Sequence, residues 1–233
     1  GAFGMGPAAL GVLSAVVPLP PPAGSDMDLF ILGNSILGGG PAASQVMSGA
    51  LAFPFSMPVG IGAGIMLGAA QGMDVAAIVE ANIIQNSQGH GLWITSGIDP
   101  FNGFAQDDDG TFSTMTVGAT GNLITGHDLL GVVAESYGQS TLDLADFSVN
   151  QIRENNQSGL VPVDISSAFL GMAKHTSTLN LGEMNNNKSD GDFFYYEHTG
   201  ATFGLPGTYT YNFLLDGVTP ISLTEVPSDP GVP

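Results

Sequence analysis

The chain from Leu29 to Met73 contains no charged residue. Its core, residues 46–68, is apolar and long enough to cross a bilayer, for which about 20 apolar residues suffice. Two prolines, Pro54 and Pro58, interrupt this core, and no Lys or Arg flanks it to orient a membrane span. We therefore predict that it is buried against protein, within its own domain and against neighbouring copies. A membrane-embedded accessory subunit that spans with residues 46–68 is the alternative.

The charge balance restricts both partners and location. Twenty-one acidic residues face three basic ones, giving a net charge of −18, and Arg153 is the first basic residue. Nucleic-acid binding is excluded as a function class because it requires clustered Lys and Arg, and anionic lipid headgroups would repel the chain. Only 10% of the residues are charged, against about 25% in an average domain. We interpret this composition as that of an extracellular or cell-surface protein.

The absence of cysteine excludes disulfides and thiolate metal sites. A mean hydropathy of +0.26, with 43% hydrophobic residues, indicates a folded chain rather than a disordered one. The composition therefore predicts a folded protein without covalent sulfur cross-links.

Residues 1–24 form an apolar N-terminal arm that ends in a proline-rich spacer over Pro18–Pro22. The prolines favour an extended polyproline II conformation and exclude a helix. An apolar arm before a stiff spacer is suited to adding a strand to a neighbour's sheet. The alternative is an ordinary first strand packed on its own domain.

The second predicted unit, residues 25–90, combines the apolar glycine-rich segment with one helix. Residues 27–37 are typical of a strand or a short helix, and a helix is predicted near 74–85 because Asp74 can cap its start. Apolar residues then recur at helical spacing, at Val75, Ile78, Val79 and Ile83.

The third predicted unit, residues 91–233, reads as short strands between turns. Its alternating apolar residues and its spacing of roughly ten residues per strand are typical of a β-sandwich or jelly roll. No internal repeat is evident, and residues 166–174 are compatible with a short helix. The predicted strands are 92–95, 111–118, 129–135, 141–149, 160–166, 177–181, 193–198, 208–215 and 220–226.

Two acidic turns are the candidate metal sites. The first contains Asp107, Asp108 and Asp109, and the second contains Asp190 and Asp192. Hard oxygen ligands on turns are what calcium prefers, although neither turn has the ligand spacing of an EF-hand. A plain acidic turn is the default interpretation of each, with calcium as the alternative and the one cofactor suggested.

No catalytic signature is present. The chain has no Gly-x-Ser-x-Gly turn and no metal-ligand spacing among its histidines, so we predict that it is not an enzyme. The four histidines are His90, His127, His175 and His198.

The segment 196–211 has a His-containing strand followed by Phe203, Pro206-Gly207 and Tyr209. It resembles a hairpin of bacterial surface-anchored exported proteins of the PEP-CTERM type. This local resemblance implies an exported β-sandwich with a Pro-Gly turn.

Together these features predict an exported structural protein that self-assembles into a filament, sheath or surface layer. Its partners would be copies of itself, joined by exchange of the N-terminal strand. The alternative is a monomeric calcium-dependent adhesin or carbohydrate-binding β-sandwich, with an aromatic platform at Trp93, Phe101 and Phe104.

Overall fold

The structure is a computed structural model that describes residues 2–3, 12–14, 26–37, 63–70, 72–99, 105–106, 112–157 and 168–229. The regular structure of these residues is strand, without a helix, so the mainly β class is confirmed. It follows that no helix in the described ranges is long and apolar enough to cross a bilayer.

After two short strands, the chain winds through six successive coils of three strands each, with a small hairpin between the second and third coils. The initial strands are β1 (Ala2–Phe3) and β2 (Val12–Ser14). Coil 1 comprises β3 (Asp26–Leu32), β4 (Ser35–Leu37) and β5 (Ile65–Ala69). Coil 2 comprises β6 (Asp74–Glu80), β7 (Ile83–Gln85) and β8 (Leu92–Ser96), and the hairpin comprises β9 (Ile98–Asp99) and β10 (Ala105–Gln106).

The later coils keep the same order of a long, a short and a second long strand, shortening toward the C-terminus. Coil 3 comprises β11 (Thr114–Thr120), β12 (Leu123–Thr125) and β13 (Val132–Ser136). Coil 4 comprises β14 (Thr141–Ser148), β15 (Gln151–Arg153) and β16 (Phe169–Ala173). Coil 5 comprises β17 (Thr178–Glu183), β18 (Lys188–Ser189) and β19 (Phe193–Glu197). Coil 6 comprises β20 (Thr202–Gly204), β21 (Phe213–Leu214) and β22 (Leu223–Glu225).

Strands at the same position in successive coils pair in parallel. The first strands form sheet I, the second strands form sheet II, and the third strands form sheet III, which β2 and β1 extend beyond β5. Such a winding of stacked coils is a parallel β-solenoid. The predicted β-sandwich is not confirmed, because the neighbours of each coil strand are parallel strands of adjacent coils.

Two predicted helices are strands. Val75, Ala77 and Val79 alternate inward along β6 with exposed neighbours, and Ile78, which fitted a helical stripe, is 41% exposed on the outer face. The helix predicted near 74–85 is therefore wrong, as is the short helix over 166–174, which contains β16. The predicted hairpin over 196–211 is not formed either, because β19 lies in sheet III and β20 lies in sheet I.

A ladder of six asparagines, five of them buried, holds the corner between sheets I and II. Asn82 shows the repeating contacts: its Nδ2 donates to Ile31 O at 2.8 Å and to Asn122 Oδ1 at 3.0 Å, and its Oδ1 accepts the backbone N–H of Asn34 at 2.9 Å. Each rung thus pairs backbone groups that the corner would otherwise bury unpaired. The ladder residues are Asn34, Asn82, Asn122, Asn150, Asn187 and Asn212.

The residue before each ladder asparagine turns the chain from sheet I to sheet II. It has a positive φ in all six coils, which non-glycine residues rarely adopt and which the stacked coils impose. These residues are Gly33, Ala81, Gly121, Val149, Asn186 and Tyr211.

The interior is filled by side chains from all three sheets. Phe147, Phe169 and Phe193 form a triangle of fully buried rings. The Phe169 centroid lies 5.3 and 5.4 Å from the other two, which are 6.2 Å apart. Where sheet II faces the start of sheet III, a Cβ on Gly131 would lie 2.4 Å from Ile152 Cγ2. Only glycine leaves room there for the isoleucine of the next coil.

The N-terminal predictions fall largely outside the described residues. Most of the bilayer-length core, residues 46–62, lies there, whereas its end belongs to β5. The arm is described only at β1 and β2, and β2 pairs in parallel with β5 of the same chain. The boundary predicted after residue 90 lies within coil 2, between β7 and β8.

Candidate functional site

The outer face of sheet III is buried along three of its strands, whereas that of sheet I is largely exposed. All residues of β8, β13 and β16 are buried, which means that both faces of these strands are covered. The outward side chains form a second apolar cluster, separate from the interior. It consists of Trp93, Leu129, Leu130, Val133, Leu170, Met172 and Val226.

A buried carboxyl group lies beside this cluster. Glu135 is 3% exposed, and the Trp93 Nε1–H donates to its Oε1 at 2.6 Å. The Tyr137 side chain is a second hydrogen-bond partner of the Glu135 carboxyl. Burial raises the pKa of Glu135, and the hydrogen bond from Trp93 and the positive charge of Lys174 only partly offset this.

An ion pair adjoins the buried carboxyl. Lys174 Nζ lies 3.2 Å from Asp229 Oδ1, and the two side chains are 10% and 47% exposed. The same Nζ lies 5.1 Å from the centroid of the Tyr137 ring, in a cation–π contact. Burial, followed by the charge of Glu135, raises the pKa of Tyr137, so its hydroxyl stays protonated and donates to the carboxyl.

The coil register brings these residues together. In the alternation of β13, Val133 and Glu135 point outward and Ala134 points inward. Lys174 directly follows β16, and its backbone N–H donates to Ser136 O at 2.9 Å, which places it beside Tyr137. Asp229 lies in the segment after β22. The Val226 N–H in that segment donates to Tyr195 O at 2.8 Å, which holds the segment against sheet III.

A second polar group lies in the corner between sheets II and III. Ser87 Oγ lies 2.6 Å from His127 Nδ1, a distance also found in nucleophile–base pairs. The Nδ1 accepts the Ser87 backbone N–H at 3.0 Å, and Nε2 donates to Ile84 O at 3.1 Å. Both side chains are buried. This geometry is that of a neutral imidazole that pairs backbone groups, so we assign it a structural role.

The lowered pKa of His127 should make the free energy of unfolding depend on pH. Burial lowers its pKa from 6.5 to about 4. In the unfolded chain, the His127 imidazole therefore becomes protonated below about pH 6.5, whereas in the folded chain it stays neutral down to about pH 4. We expect His127 to contribute about 3 kcal/mol of stability at neutral pH, which is lost as the pH falls through that window.

Urea denaturation at a series of pH values measures this loss. The raised pKa of Glu135 acts in the opposite direction above its ordinary value, so the informative quantity is the difference between the wild type and His127→Gln. His175→Gln, at an exposed site, is the control and should keep the wild-type slope. If the free energy of unfolding of His127→Gln depended on pH as steeply as that of the wild type, His127 would not be the group responsible.

The predicted calcium ligands are only partly placed. Asp107, Asp108 and Asp109 lie outside the described residues. Asp190 Oδ2 accepts the Glu154 backbone N–H, and Asp192 Oδ1 accepts that of Ser222 at 2.9 Å. Across the described ranges, no three His, Asp or Glu side chains lie together as a metal would require. Calcium binding stays a prediction.

Sequence reasoning did not find the buried cluster on sheet III. Trp93, which the adhesin alternative places on an aromatic platform with Phe101 and Phe104, is only 4% exposed and donates to Glu135. The two phenylalanines lie outside the described residues. The sequence does contain one indication of this cluster: Glu135 follows three apolar residues, Val132 to Ala134, on a predicted strand. A carboxylate at the end of such an apolar run indicates a charged group on a buried strand.

The fold defines a parallel β-solenoid whose coils are joined by an asparagine ladder. No protein-family model, curated protein or solved structure matches this chain.

Proposed function

We propose that this chain is an extracellular structural protein whose copies stack end to end into a filament. The supporting observation is the position of exposed large apolar side chains. Seven of the eleven in the described residues lie in the terminal coils 1 and 6, and two more lie in coil 2, next to coil 1. Those of coils 1 and 2 are Phe30, Leu32, Leu37, Ile78 and Ile83, and those of coil 6 and its loops are Leu205, Tyr211, Leu215 and Val218.

The strand edges at these ends are compatible with stacking. In the described residues, β3, β4 and β20 each pair on one side only. The outer edge of β21 is partly paired within the chain, through the Phe213–Pro220 bridge and the bond from the Leu214 N–H to Thr219 O. Unpaired edges are templates for another chain. Stacking coil 6 of one copy on coil 1 of the next keeps all strands parallel. Such a head-to-tail contact does not close on itself, so it extends into a filament.

The asparagine ladder would align coil 6 of one copy with coil 1 of the next. Within the chain, the backbone N–H of each ladder residue from Asn34 to Asn187 donates to Oδ1 of the asparagine in the following coil. Asn212 ends the series in coil 6. Asn34 of a second copy, placed on coil 6, would present its Oδ1 to Asn212 in the same way.

Exchange of the N-terminal strand is the remaining part of the proposal. The pairing of β2 with β5 is the contact that exchange would make between copies. Release of β2 would open β5, so all three sheets of coil 1 would then present an edge. The net charge of −18 opposes association, so we expect salt to promote assembly by screening the repulsion.

Substitution of an apolar residue at the solenoid end tests the proposal. Phe30 is 66% exposed on coil 1, and Phe112 is 58% exposed between coils 2 and 3. Phe30 lies on the outer face of the edge strand β3, so it would adjoin coil 6 of the next copy. We expect Phe30→Asp to weaken self-association at least tenfold, because it places a charge at the margin of this apolar contact. Phe112→Asp adds the same charge elsewhere and should assemble like the wild type.

Sedimentation velocity over a concentration series and negative-stain microscopy give the readout. Filaments one solenoid wide in the wild type and in Phe112→Asp, with dispersed Phe30→Asp particles, would support the proposal. A wild type that stays monomeric at every concentration and salt level would refute it. Equal weakening by both variants would show that net charge, and not the solenoid end, controls association.

A further inference from the structure

We propose that Lys174 and Asp229 condense into an intramolecular amide bond, with the carboxyl of Glu135 relaying the proton. The reacting groups are already in contact, with Nζ 3.2 Å from Oδ1. This inference concerns a modification of the single chain and is independent of the proposed assembly.

The surroundings of the pair suit condensation rather than a solvated ion pair. Lys174 is almost fully buried and lies against the Tyr137 ring. Removing the Lys174 ammonium group from water is costly, and its conversion to a neutral amide would relieve that cost. Asp229 remains accessible on one side, which gives the released water a path out.

Glu135 is placed to serve as the proton relay. It is close enough to Lys174 for the ammonium charge to act on its carboxyl, and it is held by Trp93 and Tyr137. Burial raises its pKa, which favours a protonated carboxyl that can both give and accept a proton. Its two hydrogen-bond partners fix its orientation.

The reaction balances without any co-reactant. A proton passes from Nζ to the Asp229 carboxylate, which leaves a neutral amine and a neutral acid. The Nζ lone pair attacks Cγ, and the C–N bond forms. Glu135 donates its proton to the departing hydroxyl as the C–O bond breaks, and it recovers a proton from Nζ. The products are an amide and one water molecule, with no change in oxidation state.

The bond would fasten the C-terminal segment to the solenoid. It closes a covalent ring from the end of β16 to the residues after β22, across the outer face of sheet III. Coils 5 and 6 lie within that ring, so they could not unwind independently of coil 4. A cross-link of this kind stabilises chiefly by limiting the unfolded chain.

Intact mass spectrometry of the 233-residue chain is the first test. After incubation of the folded protein at neutral pH, we expect a mass about 18 Da below that of the sequence, equal to one water. A mass equal to that of the sequence would overturn the proposal.

A succinimide at Asp109-Gly110, Asp190-Gly191 or Asp216-Gly217 would give the same loss of mass, so the location of the modification is the second readout. Trypsin should not cleave after a modified Lys174. We expect one branched product containing residues 154–188 and 189–233, resistant to mild alkali, which opens a succinimide. Separate peptides 154–174 and 189–233 would refute the bond.

Matched variants assign the roles. Asp229→Asn should form the same amide with loss of ammonia, about 17 Da, whereas Asp229→Ala and Lys174→Arg should keep their full masses. A water loss in either of the last two would place the modification elsewhere. We expect Glu135→Gln to slow the condensation at least tenfold. An unchanged rate in that variant, with its fold intact by circular dichroism, would refute the relay.

Discussion

Replacement of Asn122 by alanine is expected to lower the free energy of unfolding by about 4 kcal/mol, because each buried hydrogen-bonding group left unpaired costs about 1–3 kcal/mol. The Asn122 Oδ1 accepts two hydrogen bonds from Asn82, at 3.0 Å each, and its Nδ2 donates to Val79 O and to Asn150 Oδ1. Alanine leaves the Asn82 donors without their acceptor inside the corner. Guanidinium denaturation followed by circular dichroism measures the loss.

The end of the ladder provides the matched control. Asn34 is only half-buried, and its backbone N–H still reaches Asn82 Oδ1 after the side chain is removed. Its Nδ2 donates to Leu32 O and to Asn82 Oδ1, at 3.1 Å each, where water can replace the lost donor. We therefore expect Asn34→Ala to cost only about 1 kcal/mol. Equal losses for the two variants would mean that the intrinsic turn preference of asparagine, rather than the buried hydrogen bonds, determines the effect.

Truncation of Phe169 to alanine is expected to cost about 4 kcal/mol, within the range for a buried aromatic residue. The side chain is fully buried between Phe147 and Phe193, on two different strands, so neither neighbour can fill the space without moving a coil. Part of the loss is the aromatic contact itself, which adds to the buried area. The measurement is the same denaturation experiment.

Two further variants serve as comparisons for Phe169→Ala. Phe169→Leu keeps most of the volume and should lose roughly 1.5 kcal/mol or less, as volume-conserving exchanges do. Phe112→Ala removes an exposed ring and should change stability by less than about 0.5 kcal/mol. If Phe169→Ala cost no more than Phe112→Ala, the aromatic stack would not be part of the stabilising core.

The amide bond and the end-to-end stacking would have different mechanical effects. The bond would hold coils 4 to 6 together within one chain, and stacking would join one chain to the next. In a solenoid each coil contacts only its neighbours, so the terminal coils are the first to unwind. A covalent fastening near the C-terminal end would strengthen the end that the proposed contact uses.

Strand positions were predictable wherever alternation was explicit. The strand predicted over 141–149 is β14 (Thr141–Ser148), and the strand predicted over 193–198 is β19 (Phe193–Glu197). The prediction for 74–85 was wrong because Ala76 and Ala77 hide the period of two, while Val75, Ile78 and Val79 match a helical stripe. Ile78 is apolar yet exposed, on the outer face of sheet I in coil 2. Local pattern could not distinguish that side chain from a core residue.

The repeat was not visible in the sequence because the coils differ in length. Successive ladder asparagines are separated by 48, 40, 28, 37 and 25 residues, since the segments between consecutive strands differ in length. A common period is the signal by which solenoids are recognised. Without it, short strands between turns are equally compatible with a sandwich, which is what composition and spacing predicted.

By itself, the sequence determined the β class and the positions of many strands, because these follow from side-chain alternation and turn residues near in the chain. Only the tertiary structure decided that the strands stack in parallel coils, that six distant asparagines form one ladder, and that Glu135, Lys174 and Asp229 meet. These pairings depend on register between coils. Register is set by many weak contacts between residues far apart in the chain, and no local segment encodes it.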